Sequence, residues 1–387
     1  MNIKSCDNEY IANTYARFPL TLVNGKGSLV YDDEGNEYID LATGIAVNTF
    51  GFCDDKWVSA VTNQLNKLQH ISNLYYTEPC TTLAKMLCDR TGFKKVFFSN
   101  SGAEANECAI KVARKYAAEK KGSEYYNIIT LKNSFHGRTI TTLAATGQDV
   151  FHNDFLPLTD GFLYVEANNI QALEEQIKTN KCAAIMIELV QGEGGVNPLD
   201  KEYVKQLVKI ANDNDVLIIC DEVQIGNGRS GELYAFMNYG FLPDIATTAK
   251  GLAGGLPLGA TLLSEKTKNV LTPGTHGSTF GANPVCCAAA INVLTRINEQ
   301  LLSEVKEKSL FIFNKLNACE NVISVSGMGL MIGVETKRDA LEIVNECMEK
   351  GVLVIKAKNK VRLLPALNIP FEQLEKAINI LIEVCYK

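Results

Sequence analysis

Val216-Leu217-Ile218-Ile219-Cys220-Asp221-Glu222-Val223-Gln224 is an apolar run closed by two carboxylates. A run this short, apolar on both faces and rich in β-branched residues, reads as a buried strand. A helical period over 201–214 precedes it, and the alternation continues outward in both directions. Apolar runs at 96–99, Asn127–Leu131, 183–190, Ile245–Thr248 and 260–263 read as further strands. Amphipathic stretches at 104–121, Ile170–Thr179 and 284–298 read as helices. Strands alternating with helices predict an α/β fold, with a mostly parallel sheet covered on both faces.

The flanks read differently. Residues 1–50 read as turns and short strands, 28–31 and 37–41, and positions 54–90 follow a helical period. The tail from residue 300 mixes helices with short strands at 327–334 and 352–355, which predicts a second, smaller domain. The length, 387 residues, fits two or three units at roughly 150 residues each. With 29 Gly and 10 Pro, the composition is neither collagen-like nor of low complexity.

Several function classes are disfavoured. The net charge is −6 and no dense Lys/Arg block occurs, so nucleic acid is not an expected partner. The 12 Cys are scattered without a C-x-x-C, and Cys108, Cys182, Cys220 and Cys286 lie among apolar neighbours. That pattern predicts buried free thiols in a reducing cytosol, and with 4 His lacking paired spacing no metal site is expected. The start, Met-Asn-Ile-Lys-Ser-Cys-Asp, lacks the apolar centre of a secretory signal. No apolar run reaches the roughly 18 residues of a membrane span. The expectation is a cytoplasmic protein with no membrane partner.

Three segments carry the strongest chemical signals. Ser99-Asn100-Ser101-Gly102-Ala103-Glu104 joins a strand to a helix, and its small residues leave amides free either for an anion or for an ordinary cap. Asp221 ends a strand, where open α/β sheets bind ligands, so it either holds a ligand cation or caps the next element. Lys250 stands between the strand Ile245–Thr248 and the glycines Gly251, Gly254 and Gly255. Burial there produces the neutral amine that attacks carbonyls, although a flexible turn has the same composition. His136 reads either as a structural histidine or as a base, and Arg362 either as an edge-strand arginine or as a ligand for an anion. No G-x-G-x-x-G occurs in these segments, so a Rossmann dinucleotide site is not expected.

The order of these segments fits one cofactor, pyridoxal phosphate, which uses a phosphate site, a ring stack, a carboxylate at the ring nitrogen and a lysine. From Tyr15 to about Asn368 the chain resembles the class-III (ornithine-type) aminotransferases, fold-type-I enzymes that use pyridoxal phosphate. The resemblance implies a large domain over 51–290 and a smaller α+β domain built from both termini, 1–50 and 291–387. It assigns Lys250 to covalent attachment of the cofactor and proton transfer, and Asp221 to the ring nitrogen. Gln224 falls to the ring hydroxyl, Val223 and Phe135 to the two ring faces, and Gly102 and Ala103 to the phosphate. Thr279 would contact the phosphate of a neighbouring subunit's cofactor, which implies a homodimer with shared sites.

For substrates, the resemblance places Arg138 on the α-carboxylate, and Ser278 lies at the family's substrate position. Arg362 would take the distal carboxylate of 2-oxoglutarate or glutamate, with Glu193 neutralising it while an ornithine-type substrate is bound. Ser72-Asn73-Leu74-Tyr75-Tyr76-Thr77-Glu78-Pro79 resembles the branch acting on acetylated ornithine, with ornithine, succinylornithine, 4-aminobutyrate and diaminopimelate-pathway donors as alternatives. Two stretches depart from the family pattern. Gly51-Phe52-Cys53-Asp54-Asp55 stands where members carry Gly-His-x-His-Pro, and Ser326-Gly327-Met328-Gly329 lacks a frequent Arg.

Overall fold

In the computed structural model, which describes residues 3–386, the apolar runs of the middle of the chain assemble into one seven-stranded sheet. Its spatial order is Lys95–Ser99, Gly259–Leu263, Ile245–Thr248, Leu217–Asp221, Cys182–Ile187, Asn127–Leu131 and Phe162–Val165. Only Gly259–Leu263 runs against the others, so the sheet is mixed but mostly parallel. Each central strand is buried on both faces, and its side chains divide by the period of two. Leu217 and Ile219 join Ala184, Met186 and Ile128 against the helix Gly102–Lys120. Ile218 and Cys220 join Ile185, Ile187 and Ile129 in the larger cluster on the other face, which Lys201–Asp213 and Pro284–Arg296 cover.

The chain's beginning and end meet in a second sheet. Leu22–Lys26, Leu29–Asp32 and Glu37–Asp40 form an antiparallel meander, and Val352–Leu353 adds to it in parallel, with Val352 opposite Ile39. A third sheet has the order Val322–Met328, Met331–Thr336, Lys360–Leu363, Ile355–Ala357. Lys360–Leu363 is an interior strand there, so Arg362 is not the edge-strand arginine that one reading allowed.

Three other expectations shift. The helical period over 54–90 resolves into two helices, Asp55–Leu65 and Glu78–Thr91, the second entered through a proline in its first turn. The stretch expected to hold short strands over 327–334 spans a hairpin, with the end of Val322–Met328 and the start of Met331–Thr336 on either side of a turn at 329–330. Phe162–Val165 was not expected as a strand, because at the sheet's edge it buries only Val165 fully and lacks a continuous apolar run. Among the described residues no helix is long and apolar enough to cross a membrane.

Candidate active site

The carboxyl ends of the parallel strands open into a cavity of about 660 Å³, at the position where open α/β sheets hold ligands. One wall is the start of the helix Gly102–Lys120. Ser101 caps it, accepting from the Glu104 amide at 3.1 Å, and the Glu104 carboxylate accepts from the Asn100 amide at 2.5 Å. With the cap closed by its own side chains, Gly102 and Ala103 present the positive end of the helix to the cavity. A Cβ on Gly102 would stand 2.7 Å from Val223 Cγ1, so only glycine lets this wall close against Val223.

Asp221 ends its strand on the cavity floor. Its Oδ2 accepts from Asn106 Nδ2 at 2.8 Å and faces His136 Nδ1 at 2.8 Å, and its Oδ1 accepts from the Val223 amide at 3.0 Å. Asn106 is held in turn, accepting from Thr247 Oγ1 at 2.6 Å and donating to the His136 carbonyl at 2.8 Å. These contacts fix the orientation of the carboxylate, which lines the cavity. His136 is thus a partner of Asp221, and its Nε2 is buried without a hydrogen bond among the described residues.

Glu222, next in the chain, belongs to the scaffold: its two oxygens accept from the Ala235 and Phe236 amides at 2.8 and 2.9 Å. Among the described residues no group of three or more His, Cys, Asp or Glu is placed to hold a metal ion.

Lys250 follows the strand Ile245–Thr248 with φ +45°, a left-handed conformation that costs a side-chain-bearing residue about 1–3 kcal/mol. Its neighbours' carbonyls are braced: Asn227 Nδ2 donates to the Ala249 carbonyl at 3.1 Å, and Thr49 Oγ1 to the Gly251 carbonyl at 2.7 Å. The Lys250 amine donates no hydrogen bond among the described residues. Burial lowers its pKa, opposed by the charges of Glu193 and Asp221.

Behind Gln224 lies an ion pair. Arg362 Nη1 meets Glu193 Oε1 at 2.7 Å and Nη2 meets Oε2 at 3.3 Å, while Nη1 also donates to Gln224 Oε1 at 3.0 Å. The Arg362 side chain is 2% exposed. Burial would raise the Glu193 pKa, but the Arg362 guanidinium outweighs it and holds the carboxyl below its ordinary value. A buried guanidinium that loses its only carboxylate is strongly destabilised unless another anion takes the place.

Gly102, Ala103, Phe135, Arg138, Asp221, Val223, Gln224 and Lys250 therefore converge on one cavity. Arg138 is at its exposed rim, the guanidinium 4.1 Å over the Phe151 ring and 5.5 Å over the Phe135 ring. Ser278 and Thr279 do not line it. They line a neighbouring cavity of about 310 Å³, joined to the first through Asn100, whose Nδ2 donates to Ser278 Oγ at 3.0 Å.

Three further cavity residues, Asn106, Glu188 and Tyr15, had no role assigned from the sequence, although Glu188 opens the polar stretch 188–195 that follows a strand. Glu188 accepts from the Phe135 amide at 2.8 Å and the Gly192 amide at 3.0 Å, tying the aromatic wall to the turn that carries Glu193. Burial pushes its carboxyl up to about 7, against the pull of His136. Asn106 had a signal, a polar residue within the otherwise small and apolar face of its helix.

The class-III aminotransferase family matches residues 10–385. The chain is 51% identical over 384 residues to an acetylornithine aminotransferase of Haemophilus ducreyi, covering 99% of this chain and 98% of that protein. Among solved structures, an ornithine aminotransferase of Toxoplasma gondii superposes with a TM-score of 0.95 at 31% identity, covering 99% of this chain and 94% of that one. An N-acetylornithine aminotransferase of Stenotrophomonas maltophilia superposes with a TM-score of 0.85 at 32% identity, covering 98% and 97%.

Proposed function

The chain belongs to the class-III aminotransferases, and from that footing we propose that it transfers the terminal amino group of N2-acetyl-L-ornithine to 2-oxoglutarate. The products are N-acetyl-L-glutamate 5-semialdehyde and L-glutamate, a step of arginine biosynthesis.

The family's cofactor is pyridoxal phosphate, and the cavity residues fit it. Among the described residues the amine of Lys250 makes no hydrogen bond, Gly102 leaves space where a Cβ would collide, and the Asp221 carboxylate is held by Asn106, His136 and the Val223 amide. When bound, the cofactor supplies an aldehyde carbon for the amino group and a cationic ring that accepts electrons from the reacting carbon. Asp221, held by Asn106 and His136, provides the negative charge that keeps a ring nitrogen protonated. Gly102 and Ala103 present amides and the helix dipole to the phosphate. Phe135 and Val223 would close the two ring faces, and Gln224 would reach the ring hydroxyl. Lys250 anchors the cofactor, and its amine, whose protonation burial opposes, moves the proton at the reacting carbon.

The bidentate Glu193–Arg362 pair carries the substrate reading. Acetylornithine brings one carboxylate, far from its reacting carbon, whereas 2-oxoglutarate brings a second beside that carbon. Arg362 is close enough to Lys250 to oppose its protonation, and Arg138 is at the rim. This geometry favours Arg362 for the near carboxylate and Arg138 for the far one, the reverse of the assignment taken from the sequence. Glu193 then covers Arg362 for the donor and yields it to the acceptor. Half-reactions followed by loss of the cofactor's absorbance test this. Glu193→Gln should shift the ratio of glutamate to acetylornithine rates about tenfold toward glutamate, the value of one charged hydrogen bond. An unchanged ratio would sink the reading.

Ser278 and Thr279 support a homodimer, since they line a cavity beside the site rather than the site itself, and Thr279 is exposed for a second copy's phosphate. The same reading assigns 51–290 to the cofactor domain and 1–50 with 291–387 to the smaller one, in a cytoplasmic enzyme. Sedimentation at micromolar concentration tests the dimer.

A further inference from the structure

Glu193 sits at the tip of a short hairpin whose legs, Val190–Gln191 and Asn197–Pro198, pair antiparallel. The tip is pinned at both ends. Glu188 accepts from the Gly192 amide at 3.0 Å on the near side. On the far side stands Lys360, two residues before Arg362 on the same strand and facing the same way. Lys360 Nζ donates to Asn197 Oδ1 at 3.0 Å and to Ser326 Oγ at 2.8 Å. Asn197 Nδ2 passes the contact on to the Gly194 carbonyl at 2.9 Å, and Ser326 Oγ donates to the Val196 carbonyl at 2.8 Å. The fit is tight, because a Cβ on Gly333, in the neighbouring strand, would stand 2.8 Å from Val196 Cβ.

Lys360 is 9% exposed, yet among the described residues no carboxylate forms an ion pair with it. The charge of Glu335, opposite it in the neighbouring strand, offsets the burial of this ammonium only in part, so a lysine held there without an ion pair calls for another explanation of its geometry. Among the described residues its donors reach the turn that carries Glu193 and the serine that holds the same turn.

We propose that Lys360 is a positioning residue for the exchange of partners at Arg362. By fastening the hairpin at Asn197, the foot of its second leg, to the strand that bears Arg362, it makes Glu193 return to that guanidinium each time a dicarboxylate leaves. This rests on the alternation of Glu193 proposed above. Without the pin, the tip samples positions in which Arg362 stays uncovered, and the donor that lacks a near carboxylate meets an unpaired cation.

The test uses holoenzyme, with the two half-reactions measured separately and amide hydrogen exchange followed across 192–197. Lys360→Met keeps the apolar stem and removes the donors. It should slow the acetylornithine half-reaction about tenfold while the glutamate half-reaction stays within about twofold, and exchange at the tip should quicken about tenfold. Lys360→Arg, which retains donors, should recover most of both. Ser326→Ala removes a single hydroxyl of the same clamp, and should move the ratio and the exchange in the same direction even if Lys360→Met fails to fold. Equal slowing of both half-reactions, or an altered ratio with unaltered exchange, overturns the proposal. If Glu193→Gln shifts the ratio and neither clamp variant does, the pin is wrong and the alternation stands. If Glu193→Gln leaves the ratio unchanged, both fall.

Discussion

Asp221 and Glu222 are neighbours in the chain and face opposite ways: Asp221 meets Asn106 and His136 at 2.8 Å each, while Glu222 accepts the amides of Ala235 and Phe236. The strand's alternation separates them, so two adjacent carboxylates serve two unrelated purposes.

Burial pushes the Glu222 carboxyl from 4.5 up to about 7, despite its two amide donors. The folded state thus keeps a proton that the unfolded chain has released, and this group's contribution to stability falls as pH rises from 4.5 through about 7. Glu188, raised to about 7, and Asp40, raised to about 6, act with the same sign. In Glu222→Gln, the fall in Tm over that interval should be shallower than in the parent, as thermal unfolding in a buffer series will show. An identical slope would mean that Glu222 does not titrate there.

Asn106 holds Asp221 and His136 together without lining up as a reacting group. Asn106→Ala should lower kcat about tenfold, the cost of one hydrogen bond to a charge, with a smaller change in KM. It should also shift the absorbance of the bound cofactor, because the charge at the ring nitrogen is less well fixed. A loss confined to thermal stability would make Asn106 a packing residue only.

Lys250→Ala should remove at least a thousandfold of the turnover, since both proton transfer and cofactor anchoring depend on that amine. A single-turnover absorbance record with acetylornithine will measure it. Activity within about tenfold of the parent would remove Lys250 from the chemistry.

Gly102→Val tests the phosphate wall. Its Cβ would fall 2.7 Å from Val223 Cγ1, and two branched side chains leave little room to yield. Overpacking of about 1–3 kcal/mol should weaken cofactor binding about tenfold or more, measured by equilibrium dialysis. Unchanged affinity would show that the helix start can move away from Val223.

The strands whose apolar runs are buried on both faces were legible, Asn127–Leu131 and Ile245–Thr248 with their bounds, whereas the run expected over 183–190 ends as a strand at Ile187. Phe162–Val165 was not, because an edge strand with half-buried residues leaves no such run. At the site, the strand-end rule led to Asp221 and Lys250, and cap chemistry to Gly102. Glu193 and Arg362 lie 169 residues apart, and only a family resemblance linked them before the fold brought them to 2.7 Å. Asn106 escaped because the helix face was read by its apolar members, Ala105 and Cys108, with the asparagine between them passed over. The pin at Lys360 needs two sheets in contact, which no local pattern encodes.

The parallel pairing of Val352–Leu353 with Glu37–Asp40 has a bearing on how the molecule comes into being. A ribosome adding about 5–20 residues per second makes Ile39 tens of seconds before Val352. Once Leu263 has been added, late in that interval, the seven central strands can already be in register while Glu37–Asp40 still waits with one edge open to any passing strand. Arg362 leaves the tunnel later still, so a nascent chain can own a finished floor and the Lys250 turn and yet be unable to distinguish its two substrates. Discrimination is the last property the newborn protein acquires.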